Sequence, residues 1–365
     1  MNSAMTAETP VKFRIRDTFH QYVRARAERY FRMTKRSPHG GVRMIVKTLT
    51  ILLWLSASYA LLLFFSHGLL LALLGSVSLG MAVAAVGFNV QHDAGHKAYF
   101  KSRRLNRCMA FMLDLMGASS YLWNIKHNKL HHTYTNIEGH DDDINLGVLG
   151  RLSPHQPRYW FHRYQHIYLW FLYAFIAIKW QFYDDFHDVI VASIGKHSID
   201  RPRGRELVAL IGGKIFFFTF AFVIPCLLHS PWVVIGCYLL AMGLAGVIMS
   251  TVFQLAHVVE VAASPLPTNA KGDMAEMWGI HQMQTTVDFA QKNWVITWYV
   301  GGLNFQAEHH LLPQVSHVHY PKIARLVANA CERFNVAYNV HPTLFAGIAS
   351  HARQLQMLGR PLSVA

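Results

Sequence analysis

Cysteine is scarce in this chain, and its spacing is useless for cross-linking. Cys108, Cys226, Cys237 and Cys331 form no C-x-x-C pair and no ladder of spacings. That argues against a disulfide framework or a zinc–thiolate site and leaves buried, inert thiols as the expectation. The chain also has no Gly-rich phosphate loop, no G-x-S-x-G elbow, no internal repeat and no low-complexity linker. Charge is scarce as well: Asp, Glu, Lys and Arg make up only 15% of 365 residues, against 52% hydrophobic. None of the four occurs from Thr48 to Gln91, and none from Ile215 to Val259. Each block is about twice the roughly 20 residues that a spanning helix needs, so each reads as a helical hairpin. The tight turns fall near Ser66-His67-Gly68 and His229-Ser230-Pro231.

What charge there is has one sign in excess, +14. All the basic residues but Lys214, at a membrane edge, lie in three segments that flank or separate the blocks. Two hairpins put those segments on one side, and the positive-inside rule makes that side the cytoplasm. The distribution therefore speaks for a membrane and against nucleic acid. The expected organisation is all-α and integral to the membrane. A basic cytoplasmic arm spans 1–46, a membrane domain 47–330 and a cytoplasmic tail 331–365. The helices are expected at about 47–66, 69–90, 209–228 and 232–254.

Residues 1–46 contain no apolar stretch, so no cleavable signal peptide is expected. Lys12, Arg14, Arg16, Arg24, Arg26, Arg29 and Arg32 suit either a helix on acidic headgroups or a solvated arm. Residues 106–122, with Asp114, read as a buried or re-entrant helix. The aromatics of 159–180 fit a membrane interface or core packing equally. Asp184, Asp185, His187 and Asp188 read as a solvated helix face, because nothing repeats their spacing. The run Asp141-Asp142-Asp143 reads as a solvated or helix-capping loop, with cation binding as the alternative.

Against this background, three histidine clusters stand out. They are His92-Asp93-Ala94-Gly95-His96, His127-Asn128-Lys129-Leu130-His131-His132 and Gln306-Ala307-Glu308-His309-His310. Spacings of three and four put side chains on one helix face, and neutral imidazoles suit a borderline metal. The first cluster follows directly on the first hairpin, and His257 follows on the second. Eight imidazoles with Gln306 are too many for one structural zinc, which needs four ligands. They suit two metal ions, and open histidine-rich shells suit iron that must bind oxygen. A site at the mouth of membrane helices admits a greasy substrate whose C–H bonds no side-chain acid or base can break. Asp93, Asp141 and Glu308 are candidates to orient the imidazoles from behind. His281 has no assigned role.

Written H-D-A-G-H, H-N-K-L-H-H and Q-A-E-H-H, the clusters closely resemble the three histidine boxes of integral-membrane fatty acid desaturases. The run G-G-L-N-F-Q-A-E-H-H-L-L-P at 301–313 resembles the front-end type, the Δ6- and Δ5-like enzymes, in which glutamine replaces the first histidine of the third box. The resemblance covers about residues 45–330. It implies a four-helix mushroom whose cytoplasmic helical cap holds a di-iron centre. It also implies O2-dependent insertion of a cis double bond into a long acyl chain, either CoA- or lipid-linked. By carry-over, His92, His96, His127, His131, His132, His309 and His310 are iron ligands. Gln306 takes a ligand or near-ligand position, and His257 matches the extra histidine after the last span.

Many front-end enzymes carry a fused cytochrome b5 domain with a His-Pro-Gly-Gly haem motif. Here only Pro38-His39-Gly40-Gly41 occurs, in the wrong order, so electrons are expected from a separate ferredoxin or from cytochrome b5 with its reductase. The expected home is a bacterial inner membrane. The alternatives are a Δ9-type acyl desaturase or a fatty acid or alkane hydroxylase of the same superfamily. From another class, a metal transporter would need ionisable groups inside the spans, and the uncharged blocks argue against one.

Overall fold

The computed structural model describes residues 11–13, 16–66 and 68–361. His67, at the first hairpin's turn, and Arg14 of the basic arm lie outside the described residues. The architecture is helical, with four helices among the described residues long and apolar enough to cross a membrane: span 1 (Gly41–Phe65), span 2 (Leu69–Gly95), span 3 (Arg205–Leu228) and span 4 (Pro231–His257). Among the described residues, strand is confined to a two-residue antiparallel hairpin at 193–198 and a short parallel pair, Asp288–Phe289 with Val340–His341.

Span 2 runs past its uncharged block to Gly95 and span 4 past the expected 254 to His257, so His92 and His257 lie on their last turns. Returning polarity is no stop signal for a helix; a stop needs a C-cap glycine, a proline or a competing side chain. Span 4 starts cleanly because Pro231 sits at its first helical position, where a missing N–H costs nothing. Spans 2 and 4 form the inner pair. At Gly80 a Cβ would lie 2.3 Å from the Ala241 carbonyl oxygen, so only glycine permits this approach. Spans 1 and 3 are more exposed, with 17% of each apolar window buried, against 44% for span 2 and 33% for span 4.

The cap lies at the ends of the spans that carry His92 and His257. The described part of the basic N-terminal segment docks on the cap by one face, while Arg24, Arg29 and Arg32 stay exposed. Its helix Thr18–Thr34 buries Phe19, Val23, Ala27 and Phe31, a stripe of period four, against Ile323, Val327 and Ala330 of helix Tyr320–Phe334. The C-terminal segment likewise ends in a docked helix, Leu344–Gly359, with Leu355 and Leu358 buried. Residues 103–123 form three short pieces, Arg103–Ala110, Met112–Leu115 and Ser120–Trp123, in place of one re-entrant helix. The 159–180 aromatics divide: Trp160 is exposed, while Tyr173 is buried.

Asp185 and Lys214 correct the sequence-based expectation. Asp185 is buried and lies 2.8 Å from Lys214. The Lys214 ammonium also donates to the carbonyls of Gly117 at 2.7 Å and Gln181 at 2.9 Å. A charge inside a span persists only when paired and hydrogen-bonded, and this pair ties span 3 to the segment leading to His127. Asp184 and Asp188 are also partly covered, and only His187 keeps a largely exposed side chain.

Candidate metal centre

A five-residue π-helical stretch, Gly87–Gln91, precedes His92 and the turn to His96. The second cluster lies on a longer π-helical run, Asn124–His131. Its i→i+5 pattern brings together two residues five apart, and His127 Nε2 lies 3.3 Å from His132 Nε2. The third cluster occupies helix Gln306–Leu311. It is reached through Gly301 and Gly302, both at positive φ (61° and 68°). A Cβ at Gly301 would lie 2.3 Å from the Phe88 carbonyl oxygen, so glycine lets the third cluster close onto span 2.

All nine candidate ligands are buried and converge on one place. They divide into two lobes. His92, His96, His127 and His309 form one, with ligand atoms within 4.8 Å of one another. His131, His257 and His310 form the other by the same measure, and Gln306 completes it, 2.9 Å from His257 Nε2 and 3.3 Å from His310 Nε2. His132 groups with His309 and His310 and so stands between the lobes. Adjacent residues 309 and 310 serve different lobes, their rings at 88°.

Four of the imidazoles, three in the second lobe and His309 in the first, are held from behind by oxygen. His131 Nδ1 donates to Asp141 Oδ2 at 3.0 Å, His257 Nδ1 to the Thr285 carbonyl at 3.1 Å, and His310 Nδ1 to Gln282 Oε1 at 2.7 Å. His309 Nδ1 is hydrogen-bonded to the Tyr320 hydroxyl at 3.2 Å. Such partners fix the tautomer and turn Nε2 inward. There, Nε2 of His96, His131 and His309 and Nδ1 of His132 are buried with no hydrogen-bond partner. Buried polar atoms are ordinarily paired. Four such orphans of one chemical kind within one cluster fit a metal-binding donor set.

Burial, then repulsion from neighbouring imidazoles, pushes His96, His132, His309 and His310 well below the usual histidine range. Both causes favour the neutral imidazole, the form that ligates a metal. Burial alone would lower His131 too, but the Asp141 carboxylate raises it. Burial would lift Asp143, yet His127 and Lys126 hold it well below the usual carboxylate range. Trp123 stacks on His127 at 4.6 Å, and Phe253 packs 5.0 Å from His131 and 4.9 Å from His257, so apolar rings wall both lobes.

The three carboxylates proposed as orienting partners separate. Asp141 holds His131 and also caps the turn Asp142–Ile144 by accepting from Asp143 N at 3.1 Å. Glu308 does not reach the cluster. One residue from His309, it points off another face and accepts from the Tyr338 hydroxyl at 2.8 Å, beside Asp288. Burial and the Asp288 charge keep it well above the usual carboxylate range. Asp93 turns away from His92. It accepts from the Ser316 hydroxyl at 2.6 Å and lies 2.9 Å from His317 Nδ1, whose Nε2 is 2.9 Å from Lys47. It therefore ties the first cluster to the chain after the third. His281 stays outside the lobes against Phe13, its pKa lowered by burial to about 4. Gln282, Thr285, Tyr320 and Trp123 carry no spacing signal that sequence reasoning could have used.

The fatty acid desaturase family matches residues 68–342. The sn-1 linoleoyl-lipid 6-desaturase of Arthrospira platensis is 40% identical over 342 residues, covering 93% of this chain and 92% of the relative. The protein of the same name from Synechocystis sp. is 38% identical over 361 residues, covering 98% and 99%. The acyl-lipid (8-3)-desaturase of Physcomitrium patens is 37% identical over 347 residues, covering 94% of this chain and 72% of the relative. The matched region contains all three histidine clusters and His257, and by family and by full-length likeness this chain belongs to the fatty acid desaturases.

Proposed function

We propose that this chain is a front-end desaturase that uses O2 to place a cis double bond near the carboxyl end of a lipid-linked acyl chain. The observation that carries the reading is the two-lobed cluster: four imidazoles in one lobe, three with Gln306 in the other, and His132 between them. Each lobe suits one iron ion. When bound, the two irons supply the O2 activation that an unactivated C–H bond requires. The rest is this chain's work. Asp141, Thr285, Gln282 and Tyr320 hold four imidazoles in one tautomer and one orientation. Trp123 and Phe253 exclude water from the ring faces. An acyl chain held against this wall offers a single C–C bond for reaction, which is catalysis by positioning.

The front-end assignment is supported by Gln306 and by relatives named for linoleoyl-lipid and (8-3) acyl-lipid substrates. The basic segments all lie on the cap's side of the spans, which supports a cytoplasmic cap in a bacterial cell membrane. One-electron delivery falls to a separate ferredoxin, or to cytochrome b5 with its reductase. Fatty acid profiling of a host expressing the chain, with double-bond localisation by mass spectrometry, tests the reading. A new double bond on the carboxyl side of an existing one is expected. A Δ9 product would retire the front-end assignment, and a hydroxylated product would retire desaturation.

A further inference from the structure

Between the four spans lies a cavity of about 420 Å³ that none of the nine candidate ligands lines. Leu55 and Tyr59 of span 1, Phe220 of span 3, and Cys237 and Tyr238 of span 4 form its wall, with Met116 at the cap end. Lining residues of span 1 run from Leu52 to Leu63, so at 1.5 Å per residue the slot is about 16 Å long.

Most of its polar wall groups are already engaged. Tyr59 donates to the Phe220 carbonyl at 2.7 Å, and Gln181 Nε2 donates to the Met116 carbonyl at 2.8 Å. The Tyr238 hydroxyl donates to Gln181 Oε1 at 2.5 Å, and the Ser66 hydroxyl to the Leu62 carbonyl at 2.6 Å. His229 Nε2 donates to the Leu63 carbonyl at 2.9 Å. A ligand therefore meets almost nothing but hydrocarbon. Such a cavity does not hold ordered water, which needs two to four polar partners. Left empty, its lining would lose dispersion contacts along its whole length. It lies within the layer of helices that meets lipid tails, beside the two spans that are least buried.

We propose that this slot binds the hydrocarbon tail of a membrane lipid, at a site separate from the metal centre. The proposal rests on the four helices spanning a bilayer, and not on the reaction at the cap. The tail props span 3 against spans 1 and 4, and it enters from the bilayer without passing the histidines.

The test uses the full chain in nanodiscs containing a phosphatidylglycerol with a diazirine at mid-tail. After irradiation, adducts are mapped by mass spectrometry. Labelling of Tyr59, Cys237 and Tyr238 at least fivefold above outward-facing Leu53, Leu74 and Leu227 is expected. Cys237→Trp and, independently, Ala221→Phe fill the slot and should cut its adducts at least fivefold while the outward adducts persist. Equal labelling of slot and outward positions overturns the proposal. So does slot labelling that survives in both variants. A free fatty acid carrying the same diazirine is the second arm; enrichment with that probe alone overturns the membrane-lipid source. Metal content and product profile, measured on the same samples, report separately on the desaturase reading.

Discussion

Two regions of the cap bury histidine in opposite ways. On the buried face of the C-terminal helix, His351 has both ring nitrogens engaged: Nδ1 donates to the Val258 carbonyl at 2.6 Å, and Nε2 accepts from the Tyr173 hydroxyl at 2.8 Å. Nearby His162 is similarly paired, with the Val148 carbonyl and the Tyr159 amide. In the cluster, His131 and His309 have one nitrogen held by oxygen and the other buried without a partner. The difference teaches what marks a binding centre. Histidine abundance does not, since 23 occur, and burial does not, since both regions are buried. A half-satisfied ring alone is not the mark, since His281 buries an unpartnered Nε2 outside the lobes; several such rings converging on one place are.

The strongest way to break the comparison is to truncate one histidine from each region. His309→Ala or His131→Ala should abolish desaturation and lower metal content while the chain still inserts in the membrane. Full activity in either variant would remove that residue from the ligand set. His351→Gln should leave metal content unchanged, checked by elemental analysis of the purified protein.

Asp141→Asn keeps the shape of the residue that holds His131 but removes its charge. Loss of such a partner costs about 10- to 100-fold in metal affinity or activity, read from metal titration and turnover. An unchanged affinity would reduce Asp141 to a cap for the turn Asp142–Ile144.

The paired region makes its own prediction through pH. Burial lowers His351 to about 4, whereas the unfolded chain titrates near 6.5. The unfolded state therefore binds more protons between those values. Stability contributed at this site is fully present above about pH 6.5, falls as pH drops towards 4, and the loss reaches about 3 kcal/mol. Thermal unfolding in detergent from pH 7 to pH 4.5 should show this fall, and His351→Gln should flatten it. A wild-type slope that persists unchanged in the variant would assign it elsewhere.

The smallest effect is expected at Gln306. Gln306→His should retain metal, because position 306 already lies within hydrogen-bonding distance of two imidazoles, and should change turnover by only about tenfold or less. Loss of metal would show that the lobe cannot accept a further imidazole.

Much of this was legible in the sequence. The uncharged blocks gave the membrane helices, because a bilayer tolerates so few alternatives. Box spacing and the two hairpin exits gave the nine residues. Their division into lobes was hidden, because spacing rules assume an α-helix, while His127 and His132 meet across a π-helical run. Gln282 and Tyr320 were hidden for another reason: each lies on a separate helix, 28 residues from His310 and 11 from His309, and is brought in by packing alone. Glu308 and Asp93 were misassigned because adjacency in sequence to a ligand rotates a helical side chain away from it. The stripe Phe19, Val23, Ala27 and Phe31 was in plain view among the arginines of the N-terminal segment, and its period of four marks a docked helix.

The measurement that tests the central claim most directly is the metal content of the wild-type chain. The protein would be purified anaerobically in mild detergent and read by inductively coupled plasma mass spectrometry. Two irons per chain is the predicted result, one for each lobe. One metal per chain, zinc in place of iron, or no metal after iron-supplemented expression would contradict the two-lobed account.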